Sequence, residues 1–316
     1  MTCPRCEHGH AKKFGTYGRL HTQRYRCNSC RATFMQPRPR PLGRHSIELS
    51  KAVQVVTLLT EGMSVRAICR ITGVHKTTIL ALLLTVGEKC QIVFDRIVRN
   101  LKPRFVQADE LWSFVHTKEA RLRSDDPQDW GDAYTFMALD SETKLILSYR
   151  IGKRSVQTAL EFMRDLSERI DPLWRCQITT DGFKPYINAI EEYFGANVDY
   201  AQLLKIYGKA EGEAPNWYAP TTVVDAIPVT VSGHPRIERI STSHIERANL
   251  SVRMHLRRFT RLTNGFSKKL DNLEAAVSLF MAWYNFCRVH QTLRITPAME
   301  AGLTDHIWTV TELISQ

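Results

Sequence analysis

Two Cys-x-x-Cys pairs near the start, Cys3-Pro4-Arg5-Cys6 and Cys27-Asn28-Ser29-Cys30, constrain this chain more than any other feature. Twenty residues separate them, a spacing that suits four thiolates on two knuckles around one tetrahedral ion. Residues 1 to about 40 are too short and too polar to bury a core unaided, so a metal is the expected substitute. Four thiolates fill the shell and leave no open position, which makes the expected Zn²⁺ structural. Phe14, Gly15, Tyr17, Gly18 and Tyr25 between the pairs fit a short hairpin closing over it. Cys69, Cys90, Cys176 and Cys287 are scattered and read as buried small apolar residues. The opening MTCPRCEHGH has no apolar signal-peptide core, which predicts a cytoplasmic protein with reduced thiols.

Charge points to a partner. The net charge is +11, and residues 1–44 hold ten Lys or Arg against one acid, Glu7. A basic segment of this kind suits a polyanion, most simply nucleic acid. Pro37, Pro39 and Pro41, with Arg38 and Arg40 between them, read as a stiff linker. Helical periodicity follows at Ile47–Thr60, then in a helix capped by Ser64 and ended by Gly73, then at His75–Thr85. Helix, glycine turn and a helix opening on small polar and basic residues is the helix-turn-helix pattern. It would offer His75, Lys76, Thr77 and Thr78 to the major groove of double-stranded DNA. A plain three-helix bundle, with Gly73 only a C-cap, is the other reading. No stretch approaches 18 uninterrupted apolar residues, so no membrane span is expected.

After Pro103 the texture changes to an α/β pattern. Phe105–Val115, Ala133–Leu139 and Leu145–Ile151 read as strands, with Asp140-Ser141-Glu142-Thr143 turning between the last two. Residues 117–132 are polar and loop-like. Gln157–Ile170 is an amphipathic helix, Gln177–Thr180 a buried strand and Pro185–Phe194 another helix. Three strands, helix, strand, helix predicts a mixed sheet and not a doubly wound one. Residues 204–238, rich in Gly and Pro, read as a long loop able to cover a site. An apolar helix at Leu273–Val289 and a tail complete the chain.

Three acids stand where carboxylates are costly. Asp109 lies inside a strand, where Asp is disfavoured unless it is used. Asp181 ends a buried strand, before Gly182, where a side chain faces a crevice. Glu246 belongs to the stretch from Ser241 to Arg261, whose apolar stripe is Ile245, Ala248, Val252, Leu256 and Phe259. Glu246, Arg253 and Arg257 gather on the opposite face with Asn249 at its edge. That face could hold a metal-binding carboxylate beside phosphate, or be ordinary solvated surface, with Ser243 and Glu246 forming a capping box. Acids from two strands and a helix can converge on Mg²⁺, a hard cation that takes carboxylate oxygens. Glu110 rivals Asp109, because neighbours on a strand point to opposite faces. His255 faces the apolar side and reads as a satisfied, semi-buried histidine.

These blocks resemble a known family. ADELWSFV around Asp109, TTDGFKPY around Asp181 and HIERANLSVRMHLRR around Glu246 are similar to the catalytic blocks of the IS-one family of insertion-sequence transposases. The family belongs to the wider group that uses an Asp-Asp-Glu triad. GFSKKLDN (Gly265 to Asn272) looks like a family stretch as well. Tyr284-Asn285-Phe286 to His290, with Thr296-Pro297, looks like a tail common to many transposases and integrases. The resemblance implies that Asp109, Asp181 and Glu246 ligate catalytic Mg²⁺ (or Mn²⁺). It implies that Arg253 holds a phosphate at the transposon end, with Arg257 also on DNA.

The architecture so expected is multidomain: a zinc ribbon over 1–40, an all-α helix-turn-helix domain over 45–98 and an α/β RNase H-like mixed-sheet catalytic domain over 102–316. The function it implies is a transposase that binds terminal inverted repeats, cleaves the strand at the element end and joins it to target DNA. Synapsis of two ends implies a homo-oligomer, without a membrane, in the nucleoid-bearing cytoplasm. The alternative is a sequence-specific DNA-binding regulator derived from a transposase, without catalysis.

Overall fold

Three short strands, β1 (Ala11–Tyr17), β2 (Thr22–Cys27) and β3 (Thr33–Met35), build the first of two units, Met1–Arg44. They form an antiparallel sheet in the order β1-β2-β3, so the expected hairpin gains a third strand. The computed structural model describes residues 1–18, 21–35, 42–43, 45–208 and 222–316. The expected proline linker at residues 37–41 lies outside the described residues.

The second unit runs from His45 to Gln316 and is described by itself. It opens with α1 (Leu49–Thr60), α2 (Val65–Thr72) and α3 (Lys76–Ile97). The Ser64 hydroxyl accepts from the Ala67 amide and caps α2, and Gly73, at φ +70°, ends it as read from the sequence. The third helix is longer than the expected 75–85, continuing to Ile97, because Val86, Cys90, Val93 and Phe94 extend its buried stripe. By length and composition α3 would pass for a membrane span, yet that stripe is buried within the protein.

The sheet follows with β4 (Phe105–Val115), β5 (Gly131–Asp140) and β6 (Ile146–Gly152), then α4 (Val156–Arg169), β7 (Cys176–Thr180) and α5 (Pro185–Phe194). Asp140 is the turn residue expected, accepting from the Glu142 and Thr143 amides and from the Thr143 hydroxyl. Of the segment 204–238, expected as a loop, the described residues 204–208 and 222–232 are strand, and 209–221 lie outside the described residues. β8 (Val198–Gly208) and β9 (Thr222–Ser232) pair antiparallel and extend the sheet. The order is β6-β5-β4-β7-β8-β9, with β4, β7 and β8 mutually parallel and the other pairings antiparallel.

Next come α6 (Ser243–His255), α7 (Leu270–Phe286), α8 (Pro297–Glu300) and α9 (Val310–Ser315). Phe136 of β5 packs against Phe162 of α4 and Tyr186 of α5, which marks one sheet face. The other face carries α6, tied to β4 by Gln107, whose side-chain oxygen accepts from the His244 and Ile245 amides. Helix α3 lies against α7 so closely that a Cβ on Gly87 would meet the Ala275 Cα at 2.5 Å. Residues 45–98, read above as a domain of their own, thus share one unit with the sheet.

Candidate active site and nucleic-acid interface

Register brings two of the predicted acids together. Strands β4 and β7 run parallel with Ala108 opposite Thr180, so Asp109 and Asp181 follow on neighbouring strands about 4.8 Å apart. Strand β7 stops at Thr180 while β4 continues to Val115. That flank of β4 is then open, and carboxylates from both its faces can turn into the gap. Asp109, paired with Met137, belongs to the α6 face; Glu110, paired with Phe136, belongs to the α5 face. Asp109, Glu110 and Asp181 each place an oxygen within 4.8 Å of the other two.

Two of these acids, Asp109 and Glu110, are buried close to a third carboxylate and resist ionisation. Burial, then the charge of Asp181, raises Asp109 to about 6 and Glu110 to about 7. Asn249, buried on α6, donates to Asp109 Oδ2 at 2.8 Å. Among the described residues, Glu110 Oε1 is buried without a hydrogen-bond partner. Arg154 Nε donates to Glu110 Oε2 at 3.2 Å, and its Nη2 lies 3.7 Å from Asp181 Oδ2. The guanidinium sits 4.1 Å from the Phe183 ring centre. Arg154 lies in the turn before α4, and no sequence pattern marked it.

Glu246 is placed differently. Its Oε1 pairs with Lys205 of β8 and accepts from the Thr242 hydroxyl at 2.5 Å. Its oxygens are not among those gathered within 4.8 Å. The capping box is corrected as well. Helix α6 starts at Ser243, Thr242 holds the N-cap position, and neither caps it with a side chain. Gln107 takes two of the orphan amides instead, the service a cap would supply. The apolar stripe at Ile245, Ala248, Val252, Leu256 and Phe259 is buried as expected, although the helix ends at His255 and continues as a 3₁₀ turn, Arg257–Phe259. His255 is half-buried, with Nδ1 2.9 Å from the Thr60 carbonyl.

Beyond the carboxylates a cleft of about 920 Å³ opens between the end of β4 and residues 253–266. Arg253, Arg257, Arg258 and Arg261 line it, facing Trp112 and Phe114 of β4. Burial, then Arg261, lowers the Arg253 pKa against the pull of Asp109, so this arginine lies within reach of the acids. Arg258 is anchored to the Ser267 hydroxyl at 2.8 Å. Cations interleaved with aromatic rings suit a phosphate backbone with stacked bases.

In the helix-turn-helix region, His75 is the N-cap of α3, its Nδ1 accepting from the Thr77 amide at 3.4 Å. Lys76 and Thr77 are exposed and Thr78 is half-buried. In the first unit, Cys3, Cys6, Cys27 and Cys30 bring their sulfurs within 4.8 Å of one another. Cys3 and Cys30 are 3.6 Å apart, as are Cys6 and Cys27. Tetrahedral sulfurs at about 2.3 Å from zinc would be about 3.8 Å apart. The Arg5 and Ser29 amides donate to Cys3 and Cys27 in matching knuckles. Of the remaining cysteines, Cys90 and Cys176 are buried and Cys69 and Cys287 half-buried.

Residues 38–80 match the helix-turn-helix domain of resolvase. No curated protein matches the chain. Among solved structures, piggyBac transposase in a synaptic complex with hairpin DNA is similar over 84% of this chain and 68% of its own, at 10% identity and a TM-score of 0.37. The Mos1 strand transfer complex aligns over 53% of this chain and 59% of its own, at 12% identity and a TM-score of 0.23. The Mos1 mariner paired-end complex with Mn aligns over 53% and 61%, at 11% identity and a TM-score of 0.20. The chain thus spans about three fifths of the Mos1 chains.

Proposed function

We propose that this chain is a DNA transposase of the Asp-Asp-Glu kind, with an RNase H-like catalytic domain. The gathering of Asp109, Glu110 and Asp181 beside an arginine-lined cleft is the observation that carries the reading. A sheet of three antiparallel strands continued by two parallel ones supports the RNase H-like assignment, with β9 as an added edge. The match to a resolvase helix-turn-helix supports DNA as partner. His75, Lys76, Thr77 and Thr78 would read the terminal inverted repeats from the major groove.

The acids fit a divalent metal. They are hard oxygen donors, the charge of Asp181 adds to burial in raising the pKa of Asp109 and Glu110, and among the described residues the buried Glu110 Oε1 has no hydrogen-bond partner. Asp109 and Asp181 would hold Mg²⁺ or Mn²⁺, with Glu246 as third ligand once it parts from Lys205, and Glu110 as its rival. Such ions supply a nucleophilic oxygen and stabilise the leaving one. The protein's part is orientation. Asn249 fixes Asp109, Arg154 fixes Glu110 beside Asp181, and Arg253 and Arg257 hold the phosphates of the element end. The four cysteines would hold a structural Zn²⁺. Target joining, oligomerisation and a place at the nucleoid follow from this reading.

One observation favours the second reading, a DNA-binding regulator without catalysis: Glu246 is bound by Lys205 and Thr242 instead of facing the other acids. Incubating a labelled element end with Mg²⁺ separates the two. Asp181→Asn should bind that end like wild type and lose cleavage. Wild type that binds but never cuts would leave the regulator, and cleavage retained by the variant would overturn the acid assignment. Glu246→Gln and Glu110→Gln, compared in parallel, identify the third ligand as the one whose loss abolishes cutting.

A further inference from the structure

Helix α6 has a second polar flank that the proposed reaction does not use. At 100° per residue Glu246, Asn249 and Arg253 share one side, and His244, Arg247 and Ser251 lie about 160° away. The buried residues Ile245, Ala248 and Val252 lie between them. This second flank borders a cavity of about 270 Å³, whose far wall is Lys144 of the β5–β6 turn and Arg288 and His290 beyond α7. Five basic side chains therefore share one cavity, and no carboxylate stands among its described lining residues.

The acids that Lys144 senses are engaged elsewhere. Asp140 is held by its own turn, and Glu142 lies 3.7 Å from Arg104. Among the described residues, His290 Nδ1 is buried without a hydrogen-bond partner. Burial, and then Lys144, Arg288, His244 and Arg247, hold its pKa below the usual histidine value. Lys144, Arg247 and Arg288 thus crowd one cavity with no carboxylate among its described lining residues. An anion would relieve this.

The wall is rigid. Asn285, fully buried, donates to the Ile146 carbonyl at 2.9 Å and accepts from the Ile146 amide at 3.0 Å, pinning the end of α7 to edge strand β6. The His290 amide donates to the Ile295 carbonyl at 2.9 Å, and Thr296 caps α8. Arg288 lies over the Trp283 and Tyr284 rings, 5.7 and 5.9 Å from their centres, its guanidinium already oriented.

We propose that this cavity is a phosphate site for the DNA backbone, separate from the phosphate that is cut. The proposal rests on the reading that the chain acts on DNA. Helix α6 would then touch DNA on both flanks, through Arg253 on one and Arg247 on the other. A macromolecular anion suits this site because Arg253, on the other polar flank of the same helix, already lines the arginine cleft.

The test is binding of a duplex of unrelated sequence, without Mg²⁺, across a series of salt concentrations. Arg247 is exposed and its side chain makes no hydrogen bond or ion pair among the described residues, so Arg247→Gln leaves the packing intact. The variant should bind several-fold more weakly, and the slope of log K against log salt should fall by about one. Arg288→Lys, which keeps the charge, should preserve most of that slope. Wild-type affinity and slope in Arg247→Gln would overturn the proposal while leaving the transposase reading intact, since that reading depends on Asp181. Melting curves with inorganic phosphate form the second arm. Phosphate that stabilises wild type but not Arg247→Gln, together with unaltered DNA binding by the variant, would mark a free-anion site and refute the DNA assignment.

Discussion

Asp109 and Glu110 illustrate what single residues contribute here. Their pKa values are raised to about 6 and about 7 by burial first and Asp181 second. Ordinary carboxyls titrate near 4, so the folded state keeps protons that the unfolded state releases. The stabilisation this provides is full below about pH 4 and is lost as pH rises through 6 to 7. Melting temperature of the metal-free protein should therefore fall across that window. Asp181→Asn removes the charge that both acids sense and should flatten the fall, and an equally steep profile in the variant would refute the coupling. Mg²⁺ should restore wild-type stability most at the upper end of the window, where both acids are ionised.

Among elements, α6 depends on a contact that no pattern revealed. Gln107 is buried on β4 and takes two amides from the first turn of α6. Gln107→Leu would strand both donors and should cost about 1–3 kcal/mol. Cleavage should drop further than DNA affinity, because Glu246 and Asn249 move with the turn; equal losses in both would indicate general unfolding. Strand β4 and helix α5 were legible to the residue, and Pro185 stands in the first turn of the helix, where its missing amide costs little. Asp109 and Asp181 stood out as acids at strand positions. Strands β8 and β9 were not legible, since Pro228 argued against a strand. Pro228 pairs with Leu203 in a strand at the sheet edge, where the missing amide costs little. Glu110 was legible as a rival to Asp109 but not as its companion, because strict alternation sends it to the far face, whereas both lie beside Asp181 where β7 has stopped.

At the scale of the whole molecule, the helix-turn-helix is built into the body that carries the acids. Gly87 of α3 sits against Ala275 of α7, with the Ala275 Cα 2.5 Å and the Ala275 carbonyl oxygen 2.6 Å from where a Cβ would stand. The turn after α1 meets the end of α6, where a Cβ on Gly62 would lie 2.4 Å from the Met254 carbonyl oxygen. The His255 ring reaches the Thr60 carbonyl. The approaches at Gly87 and Gly62 are to backbone atoms, which no rotamer change relieves. Gly87→Val should force α3 from α7 and cost about 1–3 kcal/mol or more. If residues 45–316 unfold together, calorimetry of the variant should show that unit's transition moved to lower temperature as one peak. A split peak, with residues 45–98 melting early and the sheet unaffected, would show that the recognition helices fold independently. In the joined case a force on α3 from bound DNA reaches α6 through packed backbone, and the helix-turn-helix and the acids respond as a single body.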